Sequence, residues 1–214
     1  MKEIEVQIAI LIMAAGGSKR MNGIKQLLPW KNSNFLLETI KTVQKSKATT
    51  TFVVLGANAE KIQKDCNIIE NGVEVIINPH WYYGLGSSIA FGVQELLQKI
   101  PQPDGILICL ADQPLLTSSY FDSIINQFEK ETSKIIATNY GKRVGVPALF
   151  PKLLYDDLVH LKGDQGARDL LKAKSINIVS LDTQNQLIDI DTKEEYHKLI
   201  TQTNINNEKK SEQN

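Results

Sequence analysis

Lys25, Arg20, Asp112 and Asp191 are the residues of this chain whose types and surroundings suit phosphate chemistry. An apolar run, Ala9-Ile10-Leu11-Ile12-Met13, stops at Ala14-Ala15-Gly16-Gly17-Ser18, and Lys19, Arg20 and Lys25 follow. Small residues let the backbone come close to a ligand and turn its N–H groups toward an anion. The basic side chains add mobile positive charge. Together they predict a cradle for a nucleoside triphosphate; the alternative is an ordinary strand-to-loop turn with surface lysines. Two familiar phosphate motifs are absent. Six and five residues separate Gly16 and Gly17 from Gly23, Ile24 intervenes before Lys25, and Gln26 stands where a P-loop carries a hydroxyl. No Gly-x-Gly-x-x-Gly fingerprint follows the strand either.

The acidic partners lie far downstream. The apolar segment Ile106 to Leu110 ends in Ala111-Asp112-Gln113-Pro114, and the proline biases the backbone before it away from helix. Asp112 is either a Mg²⁺ ligand at a strand tip, since Mg²⁺ takes one or two carboxylates and leaves room for phosphate and water, or a turn or capping aspartate. Asp189-Ile190-Asp191-Thr192 offers a second acidic pair, whose carboxylates share one face if the segment is extended. Asp191 serves equally well as a cap for the final helix.

These residues need a frame, and apolar periodicity supplies one. Strands are expected at 9–13, 52–55, 73–77, 106–110, 134–137, 146–150 and 176–181. Helices are expected from Phe35 to Val43 behind Ser33 and Asn34, from Ile89 to Leu97 opened by Ser87 and Ser88, from Phe121 to Phe128, at 153–161, at 167–173, and from Thr192 to Ile200. Such alternation predicts an α/β fold: a single Rossmann-like domain over 1–200, with a mainly parallel sheet covered by helices on both faces. Residues 201–214 read as a polar, disordered tail. The 214 residues carry zero formal net charge, which gives no support to a nucleic-acid or anionic membrane surface. No apolar stretch approaches the roughly 20 residues of a membrane span, and the start lacks the pattern of a signal peptide. Cys66 and Cys109 fit no metal spacing and are expected as buried free thiols in the cytoplasm.

The run AAGGSKRMNGIKQLLPW resembles the signature of the MobA-like nucleotidyltransferases, most of all their molybdenum cofactor cytidylyltransferase (MocA-type) branch. Further motifs follow in order: NPHWYYGLGSSIAFGV at 78–93, ADQPLLT at 111–117, GVPALF at 145–150, LKGDQGARDLL at 161–171 and DIDTKEEY at 189–196. Three departures stand out. Gly23 falls one place late, Val146 replaces a polar residue, and Lys193 replaces the proline usual after Asp-Thr.

The resemblance implies a nucleotide-diphospho-sugar transferase-like fold and transfer of CMP from CTP to the molybdopterin cofactor, with loss of pyrophosphate. It implies nucleotide binding by Ala14, Ala15, Gly16, Gly17, Ser18, Arg20, Lys25, Ser87 and Ser88. Lys25, Arg20 and Asp112 would be catalytic, and Asp112 and Asp191 would hold Mg²⁺. Gln113, Pro147, Asp164 and Arg168 would meet the acceptor. A helix N-terminus contributes only about 0.3–1 kcal/mol per favourable charge, so backbone amides alone are too weak where two phosphates must meet. Ser87 and Ser88 serve either the base or a helix cap, and Asp164 with Arg168 either the acceptor or a local ion pair. Val146 leaves substrate contact at its motif open. Expected partners are CTP, the cofactor, and a molybdenum hydroxylase or its chaperone. The alternatives are transfer to another phosphorylated acceptor such as a sugar phosphate, or a binding protein that delivers the finished cofactor.

Overall fold

The computed structural model describes residues 6–18, 20–21, 23–183 and 188–211. Its strands are β1 (Ile8–Ala14), β2 (Pro29–Trp30), β3 (Ser33–Asn34), β4 (Thr50–Leu55), β5 (Glu74–Ile77), β6 (Gly105–Leu110), β7 (Ile135–Asn139), β8 (Val144–Pro151) and β9 (Ile178–Leu181). The helices are α1 (Phe35–Gln44), α2 (Ala59–Cys66), α3 (Leu85–Lys99), α4 (Ser118–Lys130), α5 (Tyr155–Val159), α6 (Arg168–Ala173) and α7 (Lys193–Ser211). Seven strands form one sheet in the order β5-β4-β1-β6-β8-β7-β9, with β8 alone antiparallel to its neighbours. β2 and β3 make a separate small hairpin.

The sheet is mainly parallel because helical crossovers carry the chain back to the same end of the sheet, the short β7–β8 turn excepted, and both faces are then buried. Along β1, Ile8, Ile10 and Ile12 join the core that contains α1, α2 and α4, whereas Ala9, Leu11 and Met13 join the core of α3, α5 and α6. α3 lies close on the sheet. A methyl at Gly92 would come within 2.7 Å of Val54 and 3.0 Å of Leu11. Asn34 caps α1 as expected, accepting from the Leu37 N–H at 3.0 Å.

Three helices depart from the expectations. α3 opens at Leu85, not at Ser87 and Ser88, because Gly84 at φ 103° makes the sharp entry that a residue with a side chain resists. α2 escaped notice because its buried residues, Ala59, Ile62 and Cys66, are few among charged neighbours. α7 runs past Ile200 to Ser211, into the stretch expected to be a disordered tail; no glycine or proline interrupts it. Residues 212–214 lie outside the described residues.

A third, smaller core matters most for position. Met21, Trp30, Phe35, Ile190 and Leu199 pack together, so the basic loop, the small hairpin, the start of α1 and the C-terminal segment are held as one unit. Trp30 meets Phe35 edge-on at 5.9 Å, and Phe35 meets Tyr196 at the same separation.

Candidate active site

The strand order reverses beside β1. The chain goes outward through β4 and β5, then returns on the other side of β1 as β6. Crevices in open α/β sheets form beyond the strand ends at such a point. A cavity of about 520 Å³ lies here, lined by residues of the cradle together with Trp81, Ser88, Asp112, Asp164 and Asp191.

The cradle is braced from within. Gln26 is buried, and its Nε2 donates to the carbonyls of Ala14 at 2.7 Å and Gly16 at 3.0 Å. The Ala57 N–H donates to the carbonyl between them, that of Ala15. Ser18 turns the chain at φ 51°, and its Oγ accepts the Lys25 N–H at 3.2 Å. The N–H groups of Gly16 and Gly17 carry no hydrogen bond among the described residues, which suits them to an anion. Gly16 faces open space, whereas Gly17 lies against the Trp81 ring. The same tryptophan covers Gly56, where a methyl would collide with Trp81 Cβ and sit 2.8 Å from the Ala15 carbonyl.

The acidic wall comes from two segments. The Ile190 N–H bonds the Asp112 carbonyl at 3.2 Å while the Ile190 side chain enters the third core. Alternation then sends Asp189 to Gln113 and Asp191 to the basic residues. Thr192 and Glu195 form a capping box at the start of α7: Thr192 Oγ1 accepts the Glu195 N–H at 3.2 Å, and Glu195 accepts the N–H groups of Asp191 and Thr192. Capping therefore falls to Thr192, and the Asp191 side chain is left for the cavity.

There Lys25 Nζ meets Asp112 Oδ2 at 2.6 Å and Asp191 Oδ1 at 2.9 Å, while Arg20 meets Asp191 Oδ2 at 2.9 Å. Burial pushes the Asp112 carboxyl above its usual range, and Lys25 offsets this only in part. Burial also raises Asp191, but hydrogen bonds and charge from Lys25 and Arg20 outweigh it and hold that carboxyl low. Desolvation works against the Lys25 ammonium; Asp112 and Asp191 reverse it and hold its pKa above 10.5.

Among the expected site residues, Ala14 to Ser18, Arg20, Lys25, Ser88, Asp112, Asp164 and Asp191 line this cavity. Others do not. Ser87 sits behind the wall, accepting the Gly163 N–H at 3.1 Å and donating to the Tyr83 carbonyl. Gln113 is buried, with Nε2 on Tyr140 Oη, the Val146 carbonyl and Asp189. Pro147 lies inside β8, its carbonyl accepting from Thr138. Arg168 is exposed and bonds Gln165, with no Asp164 ion pair among the described residues. Lys19 and Asn22 lie outside the described residues. Sequence reasoning missed Gln26 and Trp81. A lone amide between Ile24 and Leu27-Leu28, and glycines at 17 and 56, were the available signals.

The sequence pattern of the MobA-like NTP transferase domain matches residues 10–179. The chain belongs to that family. Purine catabolism protein PucB of Bacillus subtilis is 28% identical over 203 residues, covering 87% of this chain and 92% of PucB. Nicotine blue oxidoreductase of Paenarthrobacter nicotinovorans is 25% identical over 201 residues, covering 89% and 95%. A probable molybdenum cofactor guanylyltransferase of Bacillus cytotoxicus is 23% identical, covering 91% and 96%. Among solved structures, Rv0371c of Mycobacterium tuberculosis superposes with a TM-score of 0.78 at 25% identity, covering 91% of this chain and 97% of that one. Another structure of Rv0371c is a complex with manganese. These findings show a nucleotidyltransferase-family α/β domain, with one of these relatives linked by name to the molybdenum cofactor. The relatives' names span transferase and oxidoreductase, so substrate choice is a separate question.

The residues suit a divalent cation. Asp112 Oδ1 is buried and without a hydrogen-bond partner among the described residues, which is costly unless a donor or cation meets it. No cluster of three or more metal-binding side chains occurs among the described residues. A carboxylate pair of this kind fits an ion that keeps phosphate and water among its ligands, as Mg²⁺ does.

Proposed function

We propose that this chain transfers CMP from CTP to the molybdopterin cofactor, releasing pyrophosphate, with Mg²⁺ held by Asp112 and Asp191. A terminal phosphate oxygen of the acceptor attacks the α-phosphorus, a new P–O bond forms, and the bond to the bridging oxygen of the pyrophosphate breaks. The observation that carries this proposal is the convergence of Lys25, Asp112 and Asp191 at the switch point, beside a turn with open backbone N–H groups. No protein nucleophile is required, because positioning and charge neutralisation supply the catalysis. The cradle N–H groups and Arg20 bind the phosphates, Arg20 with a planar fork of donors suited to the leaving pyrophosphate. Lys25 neutralises charge at the reacting phosphates. A divalent cation held by Asp112 and Asp191 would supply Lewis acidity and further neutralisation of the phosphate charge. The manganese complex of Rv0371c is in keeping with such an ion.

CTP is chosen because the Ala14-Ala15-Gly16 turn resembles the cytidylyl branch, with the base read by backbone groups there and by Ser88. Asp164, which lines the cavity, is assigned to the acceptor side. The reaction is placed in the cytoplasm, and its product is passed to a molybdenum hydroxylase or its chaperone. Pure delivery without chemistry is disfavoured, since it has no need of Lys25 between two carboxylates.

The test is a matrix of nucleotides against phosphorylated acceptors, with and without Mg²⁺, following pyrophosphate release. CTP with molybdopterin should be the productive pair. Equal turnover of GTP and CTP would remove the base assignment, and a productive sugar phosphate would replace the acceptor. Unchanged release in Lys25→Ala and Asp112→Ala would remove the catalytic assignment.

A further inference from the structure

Among the described residues, the two cations that line the cavity are already engaged. Arg20 is paired with Asp191, and Lys25 with both Asp112 and Asp191; Asp164 adds a third carboxylate to the lining. Among the described residues the wall is therefore net negative, and a triphosphate meets no uncommitted positive side chain. The Lys25 ammonium touches one oxygen of each carboxylate and leaves Asp112 Oδ1 buried without a partner among the described residues. A compact ammonium has three donors on a flexible four-carbon stem, so it can bridge two acids and can also leave them. Its backbone is meanwhile fixed by the Ser18 hydroxyl and the turn around Gln26, so that any change of partner falls to the side chain.

We propose that Lys25 is an exchangeable counter-ion. It closes the Asp112–Asp191 pair in the metal-free protein and passes to the nucleotide's phosphates when a divalent cation takes those carboxylates. Cation and nucleotide then bind interdependently, because a cation arriving alone must displace an ammonium that has nowhere better to go. This inference rests on the nucleotidyl-transfer proposal, but its decisive measurement contains no nucleotide.

Mn²⁺ is titrated at pH 8 into the nucleotide-free protein, with free Mn²⁺ read by electron paramagnetic resonance. Lys25→Met should bind Mn²⁺ about tenfold tighter than the wild type or more, since two close carboxylates lose their internal counter-ion. Lys25→Met combined with Asp112→Asn should return to weak binding. In the wild type, CTP should tighten Mn²⁺ by a similar factor beyond the Mn²⁺ that the same CTP takes up in a protein-free control, and in Lys25→Met that gain should shrink. The exchange is overturned if Lys25→Met binds Mn²⁺ no tighter than the wild type, or if the double variant keeps the tight site. Should the methionine variant fail to fold, Lys25→Gln carries the same comparison. If CTP leaves the wild-type affinity unchanged while Lys25→Met tightens it, the exchange stands and the CTP assignment falls.

Discussion

Replacing Gln26 with leucine keeps the side chain's bulk and removes its bonds to the Ala14 and Gly16 carbonyls, together with the long bond it accepts from the Ser18 hydroxyl. The Ala14 carbonyl is buried, so losing a 2.7 Å bond leaves it without a donor at about 1–3 kcal/mol. The Gly16 residue is exposed, and water replaces the 3.0 Å bond there at the low end of the net hydrogen-bond range, about 0.5 kcal/mol. The two bonds together come to about 1.5–3.5 kcal/mol. For a chain of this size each kcal/mol moves the melting temperature by about 2–4 °C, so a fall of about 3–14 °C is expected in calorimetry. The same loss frees the turn whose N–H groups are assigned to phosphate, so CTP affinity should fall as well. Ile124→Val, deep in the core away from the cavity, is the comparison, costing about 0.5–1.5 kcal/mol with the cradle untouched. An unchanged melting temperature would refute the energetic reasoning. A loss of CTP affinity no greater than in Ile124→Val would refute the link between the brace and the cradle.

Further expectations follow from the same geometry. Gly56→Ala should displace Trp81 and loosen the cradle, seen as a shift in tryptophan emission with weaker nucleotide binding; an unchanged spectrum would contradict the contact. Asp191 is held below the usual aspartate range. Its contribution to stability is therefore present above about pH 4 and lost as pH falls through its lower folded value. Asp191→Asn should flatten the acid limb of the stability curve. For Lys25, whose folded pKa is raised, the contribution is full below 10.5 and is lost as pH rises through that higher folded value. Lys25→Met should weaken the alkaline loss. Burial pushes the Cys66 and Cys109 thiols upward, so neither should react with a thiol reagent until the protein is denatured; rapid native labelling of Cys109 would contradict its burial.

Much of the frame was legible because buried strands and amphipathic helices leave periodic signals. Ile10 to Met13, Ile106 to Leu110 and the Asn34-capped helix stand where the residues indicated. The convergence of Lys25, Asp112 and Asp191 was legible too, because strand ends in such a sheet gather at one crevice. What escaped was decided by contacts across space. Nothing local to Gln26 announces that its amide will hold Ala14 and Gly16, and nothing near Gln113 announces Tyr140 and Asp189 as partners. Ser87 looks like a cap until Gly84 takes the turn. The Thr192–Glu195 capping box was readable in the sequence, and it resolves whether Asp191 caps a helix or faces the cavity.

The third core has a consequence for the order in which the protein is made. Lys25 and Asp191 touch although 166 positions separate them, and it is Ile190 in that core that brings the second to the first. During synthesis the cradle leaves the ribosome long before its acidic partner exists. A nascent chain that stops short of Ile190 carries a lysine opposite Asp112 alone, with the basic loop lacking the apolar side chain that pins it. The cluster is thus completed late, so an interrupted chain lacks the second carboxylate beside Lys25 and the contact that holds the basic loop.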